Sequence, residues 1–168
     1  MSNASKPNQK PHCKRILIAI DNSVQSNWAV EYGGRLAKEL SARVMLFHVV
    51  QSDTALIDAP HTQQVLDEAA RREGDALLER AQLLLPPRVE FDFAQTEGVP
   101  AEEIVAETKR WEADLVVMGT RGRGHVAQFL LGSTAEAVIR RSHCPVLTVG
   151  HQPPVSEGDR ANKVYEVV

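Results

Sequence analysis

Apolar residues are distributed along this chain in two alternating textures. Short runs that are apolar nearly throughout occur at Arg15–Ile20, Arg43–Val50, Leu115-Val116-Val117-Met118 and 145–149. They are rich in β-branched residues, which predicts strands; the first, apolar nearly throughout, reads as a central parallel strand covered on both faces. A further run is different: Val89, Phe91 and Phe93 alternate with Glu90, Asp92 and Ala94. That alternation predicts a half-exposed strand at a sheet edge.

Between these runs the apolar spacing lengthens to three and four, which predicts helices. Val24, Trp28, Tyr32, Leu36 and Leu40 recur every four residues, with Ser23 or Asp21 as the expected N-cap. Gly33-Gly34 lies inside this helix, at a cost of about 1 kcal/mol per glycine against alanine. Close approach of the helix to the sheet would offset it. After a polar loop at 51–61, holding Asp53, Asp58 and Pro60, a helix is expected over 62–85. Its inner face is Val65, Ala69, Ala76, Leu77, Ala81, Leu84 and Leu85, and Pro86-Pro87 stops it. Gly98 and Pro100-Ala101-Glu102-Glu103 open the next helix, whose inner stripe is Ile104, Val105, Thr108 and Trp111. The last helix starts at Ser133-Thr134, turns Ala135, Val138 and Ile139 inward and ends on Arg140 and Arg141. A strand–helix alternation of this kind calls for an α/β fold, a parallel sheet with helices on both faces.

The stretch between the fourth strand and the last helix carries the candidate chemistry. Gly119, Gly122, Gly124 and Gly132 fall there with Arg121 and Arg123, and Ser133-Thr134 follow. Glycines let a backbone approach a ligand and turn its N–H groups inward. A helix N-terminus adds unpaired donors and partial positive charge. Guanidinium forks pair with phosphate. The combination suits a phosphate group. His125 could join, though a lone loop histidine is more often plain surface.

Two residues separate Gly119 from Gly122, nine separate Gly122 from Gly132, and Ser133 follows. This pattern resembles the nucleotide-binding signature of the universal stress protein family, Gly-two-Gly-nine-Gly-(Ser/Thr). The resemblance covers 14–150 and implies an adenine-nucleotide alpha-hydrolase-like fold: a single five-stranded parallel sheet in the order 3-2-1-4-5. The first and fourth strands would then be neighbours where the winding reverses, and ligands bind beyond the strand ends at such a point. The resemblance also implies ATP, ADP or AMP as ligand. It places Ala19, Ile20, Val49 and Met118 beside the base. Gly119, Arg121, Gly122, Arg123, Gly132, Ser133 and Thr134 would hold the phosphates. Asp21 would accept from ribose hydroxyls or help hold Mg²⁺. The family usually has Asp-Gly-Ser at this turn; here it is Asp21-Asn22-Ser23. Asn tolerates positive φ better than most residues. A homodimer through strand Val146–Val149 is expected both from the resemblance and from the open edge of a last strand.

Size and composition bound the rest. The chain has 168 residues, enough for one domain with a sizeable core. It is 43% hydrophobic and 24% charged with net charge −3, so neither global charge nor any basic cluster favours nucleic acid. No apolar run approaches the ~20 residues that span a bilayer, and the first residues lack a signal peptide's apolar core. The expectation is a cytoplasmic protein with a disordered lead-in at 1–13 and a flexible tail at 151–168. Two His-Cys pairs, His12-Cys13 and His143-Cys144, could make a four-ligand zinc site if they met in space. The plainer reading is that Cys144 is a small buried residue.

Several catalytic motifs are absent. There is no GxxxxGK(S/T) loop, no HxGH-like motif, no GxSxG elbow, and no glycine at the Ile18-Ala19-Ile20-Asp21 turn where a dinucleotide fold needs them. The reading is a nucleotide-dependent stress-response regulator with an unidentified protein partner, with turnover absent or very slow. The alternatives are a slow ATPase or phosphotransferase in the same cleft, or a dimeric interaction module without nucleotide.

Overall fold

The computed structural model describes residues 13–51, 60–120 and 131–150. Nine elements follow one another: β1 (Arg15–Ile20), α1 (Val24–Leu40), β2 (Arg43–Val50), α2 (Pro60–Gln82), β3 (Phe91–Glu97), α3 (Pro100–Arg110), β4 (Leu115–Gly119), α4 (Ser133–Arg141) and β5 (Val146–Val149). The strands form one five-stranded sheet in the order β3-β2-β1-β4-β5, and every neighbouring pair is parallel. This is the expected α/β topology.

Side-chain alternation explains the unbroken apolar runs. Ile16, Ile18 and Ile20 of β1, with Val44 and Leu46 of β2, join Ala29, Val30 and Ala37 of α1 and Leu77, Leu78 and Ala81 of α2 in one layer. Leu17 and Ala19, with Met45, Phe47 and Val49, point the other way, toward Ala101 and Ile104 of α3 and Ala135 and Val138 of α4. Both faces of the central strands are therefore dry. At the amino end of the sheet, Asp114 Oδ2 accepts from the backbone N–H groups of Lys14 and Arg15 at 2.8 and 2.9 Å, fixing β1 against β4.

The helix faces differ from the periodic rows read in the sequence. On α1 the buried residues are Ser26, Ala29, Val30, Gly33, Gly34 and Ala37, while Val24, Tyr32 and Leu40 are exposed. At about 3.6 residues per turn a strict four-residue spacing drifts about 40° each step. The large row winds round the helix, and small residues face the sheet. On α2 the buried positions are Gly74, Leu77, Leu78 and Ala81; Val65, Ala69 and Ala76 are exposed. The helix ends at Gln82, before the prolines, and Leu84 and Leu85 continue in tight backbone turns onto Ala81 and Gln82. β3 is shifted toward the carboxyl side of the expected strand and leaves Phe93 65% exposed at the edge. Ile139 of α4 also faces outward. Among the described residues no helix is long and apolar enough to cross a membrane.

Gly33 is where α1 touches the sheet. A Cβ there would lie 2.7 Å from Ile18 Cδ1 and 3.5 Å from Val117 Cβ, both side chains being fully buried. Gly33→Val should destabilise the fold by about 1–3 kcal/mol through overpacking, read as a lower urea midpoint at unchanged slope. A gain of about 1 kcal/mol from helix propensity would show that the contact has room.

Candidate functional site

β1 lies between β2 and β4, and the chain leaves these strands in opposite lateral directions. A crevice opens at their carboxyl ends, holding a cavity of about 350 Å³. Ala19, Ile20 and Asp21 enter it from β1, Val49 from β2, Met118 and Gly119 from β4, and Gly132, Ser133 and Thr134 from the start of α4. Residues scattered through the sequence thus meet at one place, and that place is the reversal of the winding. Arg121, Gly122, Arg123 and His125 lie outside the described residues.

The turn after β1 is held by a small network. Ser23 is the N-cap of α1, its hydroxyl accepting from the backbone N–H of Ser26 at 3.1 Å. The same hydroxyl donates to Asp21 Oδ1 at 2.5 Å, and the backbone N–H of Ser23 donates to that oxygen at 3.0 Å. The backbone N–H of Asp21 donates to Ser26 Oγ at 2.9 Å. Asp21 is therefore not the cap. It is an Asx-turn acceptor, its carboxylate anchored by Oδ1. Asn22 does not adopt positive φ, so this turn places no conformational demand for glycine on that position.

The start of α4 is the electrostatic counterpart. Its N-cap is Gly132, with no side-chain hydrogen bond to the first turn. The N–H of Gly132 is taken by Thr120 O at 2.8 Å, and its carbonyl by the N–H of Glu136 at 2.9 Å. The N–H groups of a helix's first turn have no partner within the helix, and Ser133, Thr134 and Ala135 of this one border the cavity. Glu136 is engaged by Arg140 at 2.5 Å. The arrangement can accept an anion at one end and hydrogen-bond donors at the other.

Part of the wall was not singled out in the sequence. Phe47 and His48 of β2, Ala70, Glu73 and Gly74 of α2, and Pro100 and Ile104 of α3 all line the cavity. His48 is 7% exposed, and its Nδ1 donates to Ile20 O at 2.9 Å. A Cβ on Gly74 would lie 1.8 Å from Gln95 Oε1 and 2.9 Å from His48 Cδ2, so the glycine lets α2 settle onto both side chains. The available signal was a polar residue inside an apolar strand together with a glycine inside a helix.

Comparison with known proteins identifies this architecture. The sequence model of the Universal stress protein family matches residues 12–150. The chain belongs to the universal stress protein family. Universal stress protein MJ0531 of Methanocaldococcus jannaschii is 37% identical over 138 residues, 81% of each chain. Among solved structures, universal stress protein UspA from Lactobacillus plantarum superposes with a TM-score of 0.70 at 23% identity, covering 82% of this chain and 98% of that one. A universal stress protein solved in complex with cAMP superposes at 0.56 with 25% identity, covering 83% and 98%.

In this universal stress protein Cys13 and Cys144 are both free cysteines. No group of three or more His, Cys, Asp or Glu among the described residues could hold a metal ion. Cys13, which the sequence assigned to the lead-in, packs half-buried against the core layer of α1 and α2. Burial pushes its thiol pKa up, and the charges of Asp114 and Cys144 add to this, so the reactive thiolate is disfavoured. Cys144 packs half-buried in the opposite layer, and His143 Nδ1 lies 3.4 Å from Thr108 Oγ1. His12 lies outside the described residues.

Because one hydroxyl both caps α1 and anchors Asp21, Ser23→Ala should cost about 1 kcal/mol of stability, read from chemical denaturation. Ser23→Asp should restore the cap. A neutral Ser23→Ala would remove the network's claim to hold the turn.

Proposed function

We propose that this universal stress protein binds an adenine nucleotide, ATP, ADP or AMP, in the cavity at the strand ends. It acts as a dimeric, cytoplasmic, nucleotide-dependent regulator of a stress response. The observation that carries the reading is that the Asp21 carboxylate and the uncapped start of α4 border the same cavity, with apolar walls between them. The solved relative in complex with cAMP supports it. The phosphates belong at Gly132, Ser133 and Thr134 and at the glycine-rich loop of Gly119, Arg121, Gly122 and Arg123. Ala19, Ile20, Val49 and Met118 surround the base. Asp21 accepts from the ribose or shares Mg²⁺ with phosphate oxygens, the usual mixed coordination of that ion. Rapid phosphoryl transfer needs fixed cations and an oriented nucleophile; binding without appreciable turnover is the function assigned.

Mg-ATP should raise the melting temperature, since ligand at about a hundred times its dissociation constant adds roughly 2.7 kcal/mol. Ser133→Asp separates binding from folding. A carboxylate at a helix N-terminus stabilises the helix, so the variant should fold at least as well as wild type. The same charge repels phosphate, so the ligand-induced shift should vanish. A full shift in Ser133→Asp would place the phosphates elsewhere, and none in wild type at millimolar ATP would defeat the reading.

The dimer forms along β5. Val116 N–H donates to Pro145 O at 2.9 Å and Thr120 N–H to Val149 O at 3.0 Å. Successive residues of a strand turn their backbone groups to opposite sides, so those of Val146 and Thr148 face the open edge. The other edge, β3, carries Asp92 and Glu97, paired with Arg43 and Arg71, and charge discourages strand addition. β5 carries no charge. Thr148→Pro removes an outward N–H without touching the β4–β5 ladder, a place where proline is tolerated. It should convert a dimer into a folded monomer by light scattering. A variant that remains dimeric would move the interface off this edge.

A further inference from the structure

The peptide unit between Ile20 and Asp21 is held at both of its polar ends. Its carbonyl, Ile20 O, accepts from His48 Nδ1 at 2.9 Å. Its N–H, that of Asp21, donates to Ser26 Oγ at 2.9 Å. Both clamping side chains are buried, His48 to 7% exposure and Ser26 to 3%. They come from different elements, β2 and α1, so the peptide cannot rotate without breaking a buried hydrogen bond on one side or the other. A carbonyl only accepts, so the proton sits on His48 Nδ1 and the ring orientation is fixed.

The clamp has a consequence for the cavity. Asp21 Oδ1 is already bound by the backbone N–H and hydroxyl of Ser23. With the peptide and one carboxylate oxygen both fixed, the side chain of Asp21, a residue that lines the cavity, is held in one orientation. A preorganised acceptor discriminates strongly against a ligand that lacks the matching hydroxyl, because it is then left desolvated without a donor. We infer that His48 and Ser26 are positioning residues for Asp21 and make the site selective for a ribose over a deoxyribose nucleotide. This inference rests on the nucleotide reading above. Gly74 belongs to the same device: a side chain there would press on His48 Cδ2, 2.9 Å from the added Cβ, and on Gln95 Oε1.

The test begins on the ligand-free protein. A ¹⁵N–¹H correlation at His48 Nδ1 is expected, and amide exchange of Asp21 should be slow in wild type and faster in His48→Leu and Ser26→Ala. A proton found on Nε2 alone, or unchanged Asp21 exchange in both variants, overturns the clamp whatever the nucleotide does. Calorimetry with AMP, 2′-deoxy-AMP and 3′-deoxy-AMP follows. Wild type should prefer AMP over one deoxy analogue, and Asp21→Ala should erase the preference. His48→Leu and Ser26→Ala should each weaken AMP roughly fivefold, the size of one ordinary hydrogen bond, and lower the preference. Neither should add to Asp21→Ala. His48→Asn, which keeps a donor near the Nδ1 position, should recover most of it. Should His48→Leu not fold, Ser26→Ala alone decides. An intact clamp in a wild type that binds no AMP defeats the nucleotide reading and the inferred selectivity with it. AMP binding with unaltered selectivity in Ser26→Ala defeats the positioning role only.

Discussion

The structure depends on the complete enclosure of β1. Ile16, Leu17 and Ile18 have no exposed surface; β2 and β4 bond the strand on both edges, and helices cover both faces. A strand enclosed this way leaves only its two ends in contact with anything else. The amino end is closed by the Asp114 carboxylate, which takes the N–H groups of Lys14 and Arg15. The carboxyl end is the one place where neighbouring connections diverge, and the cavity follows from that divergence rather than from any special loop.

Enclosure also sets which helix residues can face the sheet. α1 crosses both β1 and β4, and its contact at Gly33 is with Ile18 and Val117. Large side chains cannot fit between a helix and two fully packed strands, so the inner stripe is Ala, Gly, Ser and Val. Sequence periodicity weighted toward large apolar residues selects the flanks of such a helix instead. This is why the strands and the helix count were legible, while the inward faces of α1 and α2 were not; the strand order came from the family resemblance. Elements were visible because period and punctuation are local. Faces were hidden because they depend on the distance between layers.

The candidate site divides along the same line. Asp21, Met118, Gly119, Gly132, Ser133 and Thr134 were legible because each sits at a strand end or a helix start, and a topology with β1 beside β4 brings those together. His48 was not, since the local signal, a polar residue in an apolar strand, does not say which group it bonds. Its meaning lies in Ile20 O, 28 residues away in sequence, and in Gly74 of a helix further on. Ala70, Glu73 and Gly74 were hidden for a related reason. Residues 64–73 of α2 are exposed or half-buried, and Gly74, Leu77, Leu78 and Ala81 are the positions that pack against the layer below.

Three described helix starts besides α2 lie at the carboxyl side of the sheet, and they are not equivalent. α1 is capped by Ser23, with the Asp21 carboxylate beside it. α3 begins with Pro100 and carries Glu102 and Glu103 in its first turn, so negative charge is already supplied there. α4 has a glycine cap, no side-chain acceptor, and its Glu136 drawn onto Arg140. The cavity therefore has the Asp21 carboxylate at one side and the first turn of α4 at the other, a difference that helix-terminus fields make larger. A ligand with one anionic end and one end rich in hydroxyl donors would match that polarity. The polarity follows from the capping chemistry of two helices.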